Sequence, residues 1–127
     1  MRAILLILIG SLQFSVVQAQ SIEVAIRKAL HSWDVGEVRQ SNGVLFVKVR
    51  DRAMTMNQFV PMIAATCTGM PKGAAFREIH ITNPHGYGFA FEDSKKGCAT
   101  VMQPRNISTE VAVALSTHSI SPRDRVR

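Results

Sequence analysis

The apolar residues of this chain follow different spacings, and each spacing predicts a different kind of element. Residues 3–9 form an uninterrupted apolar run directly after a basic start. From residue 21 to 33, apolar residues recur at steps of three and four, as they do on one face of a helix. Between residues 44 and 50, and again between 87 and 92, apolar and polar residues alternate, which is typical of a half-buried strand.

The first nineteen residues have the order of a cleavable secretory signal peptide. A positive Arg2 precedes the apolar segment, and Val17-Gln18-Ala19 places small residues at the −3 and −1 positions of a cleavage site. The apolar run is far shorter than the ~20 residues that a membrane-spanning helix needs. An uncleaved N-terminal anchor or a buried helix is the alternative. The sequence therefore predicts a periplasmic or secreted protein whose signal peptide spans residues 1–19.

The mature protein should begin at Gln20. Removal of 19 of the 127 residues leaves 108, the size of one domain. The intact mass of the exported protein measures this directly, and a mass equal to that of the whole precursor would contradict it.

The mature chain is predicted to fold as a small α+β domain over residues 20–104. A first helix begins at Ser21 and ends near residues 34–36, and a second covers residues 57–66. Asn57 is preferred over Thr55 as the second N-cap, because Pro61 is tolerated best near the first turn of a helix. The predicted strands are residues 35–40, 44–50, 76–82, 87–92 and 98–102.

Turn residues arrange these strands as an antiparallel sheet of two hairpins plus a short strand, packed by two helices. Asn42-Gly43 predicts the first hairpin turn, and Asn83-Pro84-His85-Gly86 predicts the second. Residues 105–127 are expected to be a C-terminal segment that is partly helical and then disordered. Within it, residues 109–117 are compatible with either a helix or a strand.

The two cysteines, Cys67 and Cys98, predict a single disulfide bond. Both lie in the mature part, and an even cysteine count is typical of disulfides in exported proteins. Two free thiols are the alternative. Two cysteines are too few for a structural zinc site.

The charge indicates an affinity for anionic surfaces and argues against nucleic acid as a partner. Lys and Arg number 15 against 9 Asp and Glu, a net charge of +6, or +5 once Arg2 is removed with the signal peptide. The basic residues are scattered and form no run of five, so a nucleic-acid footprint is not evident. The expected partners are an envelope protein, a cell-wall polymer or an anionic lipid surface.

Glu78, His80 and His85 are the best candidates for a metal site. Glu78 and His80 share a strand face, and His85 lies in the turn that follows. Zinc takes three or four such ligands, so this set would support a small metal-dependent hydrolase. The alternative is that His80 is an ordinary strand histidine and His85 an exposed turn histidine. The sequence contains no Gly-x-Ser-x-Gly elbow and no phosphate-binding loop, and no cofactor is expected.

The sequence favours a non-enzymatic binding module of unidentified ligand. Its candidate surface is the second hairpin, where His85 and Tyr87 lie close to Phe89 and Phe91, because aromatic side chains anchor many interfaces. The alternative places Phe89 and Phe91 in the core. The other functions that remain open are the metal-dependent hydrolase and an inhibitor or immunity-type protein.

Overall fold

The computed structural model describes residues 21–103 and 107–123, so the predicted signal peptide lies outside the described residues. It confirms an α+β fold with one disulfide. The elements are, in chain order, helix α1 over residues 21–29, strand β1 (Val35–Ser41), strand β2 (Val44–Val49), helix α2 (Met56–Gly69), strand β3 (Glu78–Thr82), strand β4 (Gly88–Glu92), helix α3 (Ser94–Met102), helix α4 (Thr109–Leu115) and strand β5 (Thr117–Ile120).

The five strands form one mixed sheet in the order β1-β2-β3-β4-β5. Both predicted hairpins are present, since β1 pairs with β2 and β3 with β4 in antiparallel fashion. The prediction of a purely antiparallel sheet was wrong, because β2 and β3 are parallel. A helix between two neighbouring strands brings the chain back to the end where it started, so the strand–helix–strand order of β2, α2 and β3 requires a parallel pair.

The core lies between one face of this sheet and the helices. In β2 and β3, Leu45 is paired with Ile79 and Val47 with Ile81, and all four side chains are buried. Their helical neighbours in the same core cluster include Ile26, Leu30, Phe59, Met62, Ile63, Val101, Ala112 and Val113. Apolar residues recur at every second position in the strands and about every 3.6 positions in α1, and the structure buries the positions that this pattern predicts.

Helix α2 begins earlier than predicted, and the choice of Asn57 as its cap was wrong. Thr55 is the N-cap, and its carbonyl accepts hydrogen bonds from the amides of Gln58 and Phe59 at 3.1 and 2.9 Å. Pro61 therefore lies inside the helix and removes the bond to the carbonyl of Asn57. Both residues are exposed, so solvent can bind that carbonyl, while the other side of α2 is buried.

The predicted fifth strand, residues 98–102, is part of helix α3. Asp93 is its N-cap and accepts a hydrogen bond from the amide of Lys96 at 3.4 Å. The fifth strand is instead β5, which pairs antiparallel with β4. Residues 109–117 thus supply helix α4 and the start of a strand, although the sequence offered these as alternatives. Within residues 21–103 and 107–123 there are four helices, whereas two packing helices and a partly helical C-terminal segment were predicted.

The disulfide joins Cys67 of α2 to Cys98 of α3, with their Cα atoms 5.3 Å apart. The predicted pairing is confirmed, but the bond links two helices instead of a helix and a strand. Gly97 permits this arrangement, because a Cβ atom there would overlap the ring of the buried Phe91. Helix α3 therefore packs directly on β4 beside the disulfide.

Removal of the disulfide should destabilise the protein strongly. The two cysteines are 31 residues apart, and the chain-entropy model gives about 3–4 kcal/mol for a loop of this length. Replacing both Cys67 and Cys98 with Ser should lower the thermal midpoint by roughly 10 °C or more, measured by circular dichroism. Labelling of two thiols in the native, unreduced protein would contradict the bond.

Candidate functional site

The turn between β3 and β4 is held in one conformation by the side chain of Asn83. Its Oδ1 accepts hydrogen bonds from the amides of His85 and Tyr87 at 2.9 and 3.0 Å. Its Nδ2 donates to the carbonyl of Arg52, in the loop between β2 and α2, at 2.8 Å. Asn83 is only 6% exposed, so these bonds are shielded from water. One amide group therefore fixes the turn and anchors it to a second loop.

The two predicted site residues in this turn point outward. His85 and Tyr87 are both exposed, and Tyr87 keeps 56% of its accessible surface. Gly86 between them has a φ of +91°, a conformation that favours glycine. A Cβ atom at this position would lie 3.3 Å from Cγ of Pro122. Pro122 thus packs against the turn at Gly86, and the side chains of His85 and Tyr87 face solvent.

The two phenylalanines of the second hairpin are not part of this exposed surface. Phe91 is fully buried, and Phe89 packs at 5.3 Å between ring centroids against Phe59 of α2. Of the two interpretations that the sequence allowed, the structure supports the core. The exposed surface of the hairpin therefore consists of its turn.

The face of the sheet opposite the helices carries polar and ionic side chains, and we call it the outer sheet face. Register places one row of residues across all five strands of this face: Arg39, Phe46, His80, Ala90 and His118. The guanidinium carbon of Arg39 lies 4.0 Å from the centroid of the Phe46 ring. The His80 ring meets Phe46 edge-on at 5.1 Å. The Phe46 ring thus contacts a cation on its face and an imidazole in an edge-to-face arrangement.

Two histidines and two glutamates meet on the outer sheet face. The Nε2 atoms of His80 and His118 lie 3.4 and 3.8 Å from the same oxygen, Oε1 of Glu78. Nδ1 of His118 lies 2.9 Å from Oε1 of Glu92. The shared face of Glu78 and His80 was predicted from the sequence, but the contribution of His118 and Glu92 was not. Only the register of β5, a strand that was not predicted, could have located His118.

His85 does not join this cluster, because it lies in the exposed turn beyond the end of β3. Within residues 21–103 and 107–123, no three histidine, cysteine or acidic side chains are placed to hold a metal ion. What the cluster can do is exchange protons, since each imidazole faces a carboxylate. The two cysteines are joined to each other, so neither supplies a thiolate nucleophile.

A shallow concavity of about 250 Å³ lies beside this cluster on the outer sheet face. The cations that line it are already paired: Glu37 is 3.2 Å from Arg39 and 3.8 Å from Lys48. These pairs are half exposed and contribute little to stability. They nevertheless place a carboxylate where an anionic ligand would otherwise bind, so the turn is the stronger candidate site.

No protein-family model, curated protein or solved structure matches this chain in the comparisons made with each. Its function must therefore be argued from its own residues.

Asn83→Ala should loosen the turn and destabilise the domain. The substitution removes three hydrogen bonds and leaves their partners without the Asn83 side chain, a loss of about 2–3 kcal/mol. Denaturant unfolding measures this loss, and hydrogen exchange should accelerate at the amides of His85 and Tyr87. Asn83→Asp is the comparison variant: it keeps an acceptor for both amides but turns an oxygen toward the carbonyl of Arg52, so the contact with that loop is lost while the turn amides stay protected. An unchanged unfolding midpoint in the alanine variant would contradict the role of Asn83.

Proposed function

We propose that this protein is a non-enzymatic binding module of the periplasm or the extracellular space, and that its β3–β4 turn contacts a macromolecular partner. The proposal rests on one observation: Asn83 holds the turn rigid while His85 and Tyr87 remain exposed. The disulfide between α2 and α3 is compatible with an oxidising compartment.

A rigid turn favours binding because less conformational entropy is lost when the partner arrives. Tyr87 suits an interface anchor, since its ring covers a large area and has only two side-chain torsions. His85 adds a donor or, when protonated, a positive charge for an anionic group. Together they support a small contact surface with one aromatic and one polar member.

The same geometry fits an inhibitor or immunity-type protein, which is one form of such a module. A preorganised loop can fill the site of an enzyme or toxin without rearranging. An envelope protein or a cell-wall polymer would contact the same two side chains. The turn therefore supports a binding module without distinguishing among these partners. Affinity capture from an envelope extract would identify the partner.

A small hydrolase is the second candidate, and the contact of Glu78 with His80 and His118 favours it. The metal-dependent form suggested by the sequence requires His85 as a third ligand beside Glu78 and His80. The geometry gives that set less support, because His85 belongs to the turn and His118 takes its place beside Glu78.

His85→Ala and Tyr87→Ala should each weaken partner capture from an envelope extract while leaving the thermal midpoint nearly unchanged. We expect about a tenfold loss of affinity for Tyr87→Ala, equivalent to about 1.4 kcal/mol. A photo-crosslinking residue at position 87 should label the partner, and the same residue at the exposed Val24 of α1 serves as the control.

Two results would refute this proposal. Stoichiometric zinc in the purified protein that is released by His80→Ala or His85→Ala would favour the hydrolase. Unfolding of the Tyr87→Ala variant would show that Tyr87 is a structural residue and not a free contact.

A further inference from the structure

The large apolar side chains that this protein exposes are concentrated in its helices. Among the described residues there are six, and one of them is Tyr87. The other five belong to the helices or to the connection between α3 and α4: Val24, Met102, Ile107, Val111 and Leu115. Single exposed apolar residues are ordinary, but a contiguous group marks an interaction surface.

Four of these residues lie in the α3–α4 segment, and we call them the apolar helix patch: Met102, Ile107, Val111 and Leu115. Val111 and Leu115 are four residues apart on α4 and so share one face, and Ile107 directly precedes the N-cap Ser108. Leu115 is 74% exposed and Val111 46%. Helix α4 thus buries Ala112 and Val113 and presents a second apolar stripe to solvent.

A groove of about 430 Å³ extends the apolar helix patch onto α2. Glu110, Val111 and Ala114 form one wall, and Met56, Asn57, Val60 and Pro61 form the other. Helix α2 contains no charged residue over its whole length. Among the residues that line this groove only Glu110 is charged, so most of its surface is apolar.

Two exposed lysines lie at one end of this surface. Lys95 and Lys96 occupy the first turn of α3. The amide of Glu92 donates to the carbonyl of Ser116 at 2.7 Å, so the start of α3 and the end of α4, where Leu115 lies, are at the same end of the helix layer. An exposed apolar stripe beside lysines is the combination that binds anionic lipid surfaces.

The net charges of the helices and of the outer sheet face also favour contact of an anionic surface with the helices. The helices and their N-caps carry Arg27, Lys28, Lys95 and Lys96 against Glu23, Asp93 and Glu110, a net charge of +1. The outer sheet face carries Arg39 and Lys48 against Glu37, Glu78 and Glu92, a net charge of −1 with neutral histidines. An anionic surface is therefore attracted to the helices and not to the outer sheet face.

From this placement we infer that the apolar helix patch docks on an anionic lipid bilayer. Val111 and Leu115 enter the boundary between headgroups and acyl chains, and Lys95 and Lys96 pair with lipid phosphates. Within the described residues, no helix has the length and apolar character needed to cross a bilayer. The contact is consequently peripheral. It uses different residues from the β3–β4 turn, so it stands or fails independently of the proposed partner contact.

Vesicle flotation of the purified exported protein tests this inference. The protein should bind vesicles that contain phosphatidylglycerol more strongly than vesicles of phosphatidylcholine alone, and salt should weaken the binding. The double variant Val111→Glu, Leu115→Glu should reduce binding at least about tenfold. Lys95→Ala with Lys96→Ala should reduce it about 25-fold, at about fivefold per charge.

Val24→Glu is the matched control. Val24 is 65% exposed on α1, so the variant matches a single Glu substitution of the patch, Leu115→Glu, in charge but lies outside the apolar helix patch, and it should keep most of the binding that Leu115→Glu loses. Absence of binding to phosphatidylglycerol vesicles, or equal binding by wild type and the Val111/Leu115 variant, would overturn the inference. It would also be overturned if the wild type were a dimer in light scattering and that variant a monomer, because a second copy would then cover the patch.

Discussion

The fold depends on a hydrophobic core cluster that lies between the helices and one face of the sheet. In β2 the apolar residues Leu45, Val47 and Val49 alternate with Phe46 and Lys48, so one face must leave water and the other must not. The described helices all contribute to the core on that single face. A charged or strongly polar residue at any of the three apolar positions would therefore weaken the packing of α1, α2 and the sheet together, because all of them contribute to the same core cluster.

This one-sided burial also explains why a single amide matters so much in the β3–β4 turn. The turn lies at an end of the sheet, where few apolar contacts can hold a loop. Asn83 replaces those contacts with hydrogen bonds to its own turn and to the loop that carries Arg52. Directional bonds fix backbone geometry without covering side chains. Consequently His85 and Tyr87 can be both held in place and exposed, which hydrophobic packing alone would not allow.

The elements that local chemistry determines could be predicted from the sequence, and those that depend on distant partners could not. The first hairpin followed from Asn42-Gly43, and the disulfide followed from the cysteine count. The parallel pairing of β2 and β3 also follows from the order of elements, and was overlooked. Residues 98–102 were misassigned because their apolar positions suit a short strand, whereas the cap at Asp93 and the contact of Gly97 with Phe91 select a helix.

The candidate sites divide in the same way. His85 and Tyr87 were found because a turn is a local feature, but the His118 side of the histidine–glutamate cluster needs the register of β5. That register also decides how charge is distributed. The strand positions that face away from the core carry the paired ions, so their charges neutralise one another across neighbouring strands. The lysines of α3 have no such neighbours on α2, which lacks charges altogether. The helices consequently keep a small net positive charge on the side where the exposed apolar side chains also lie.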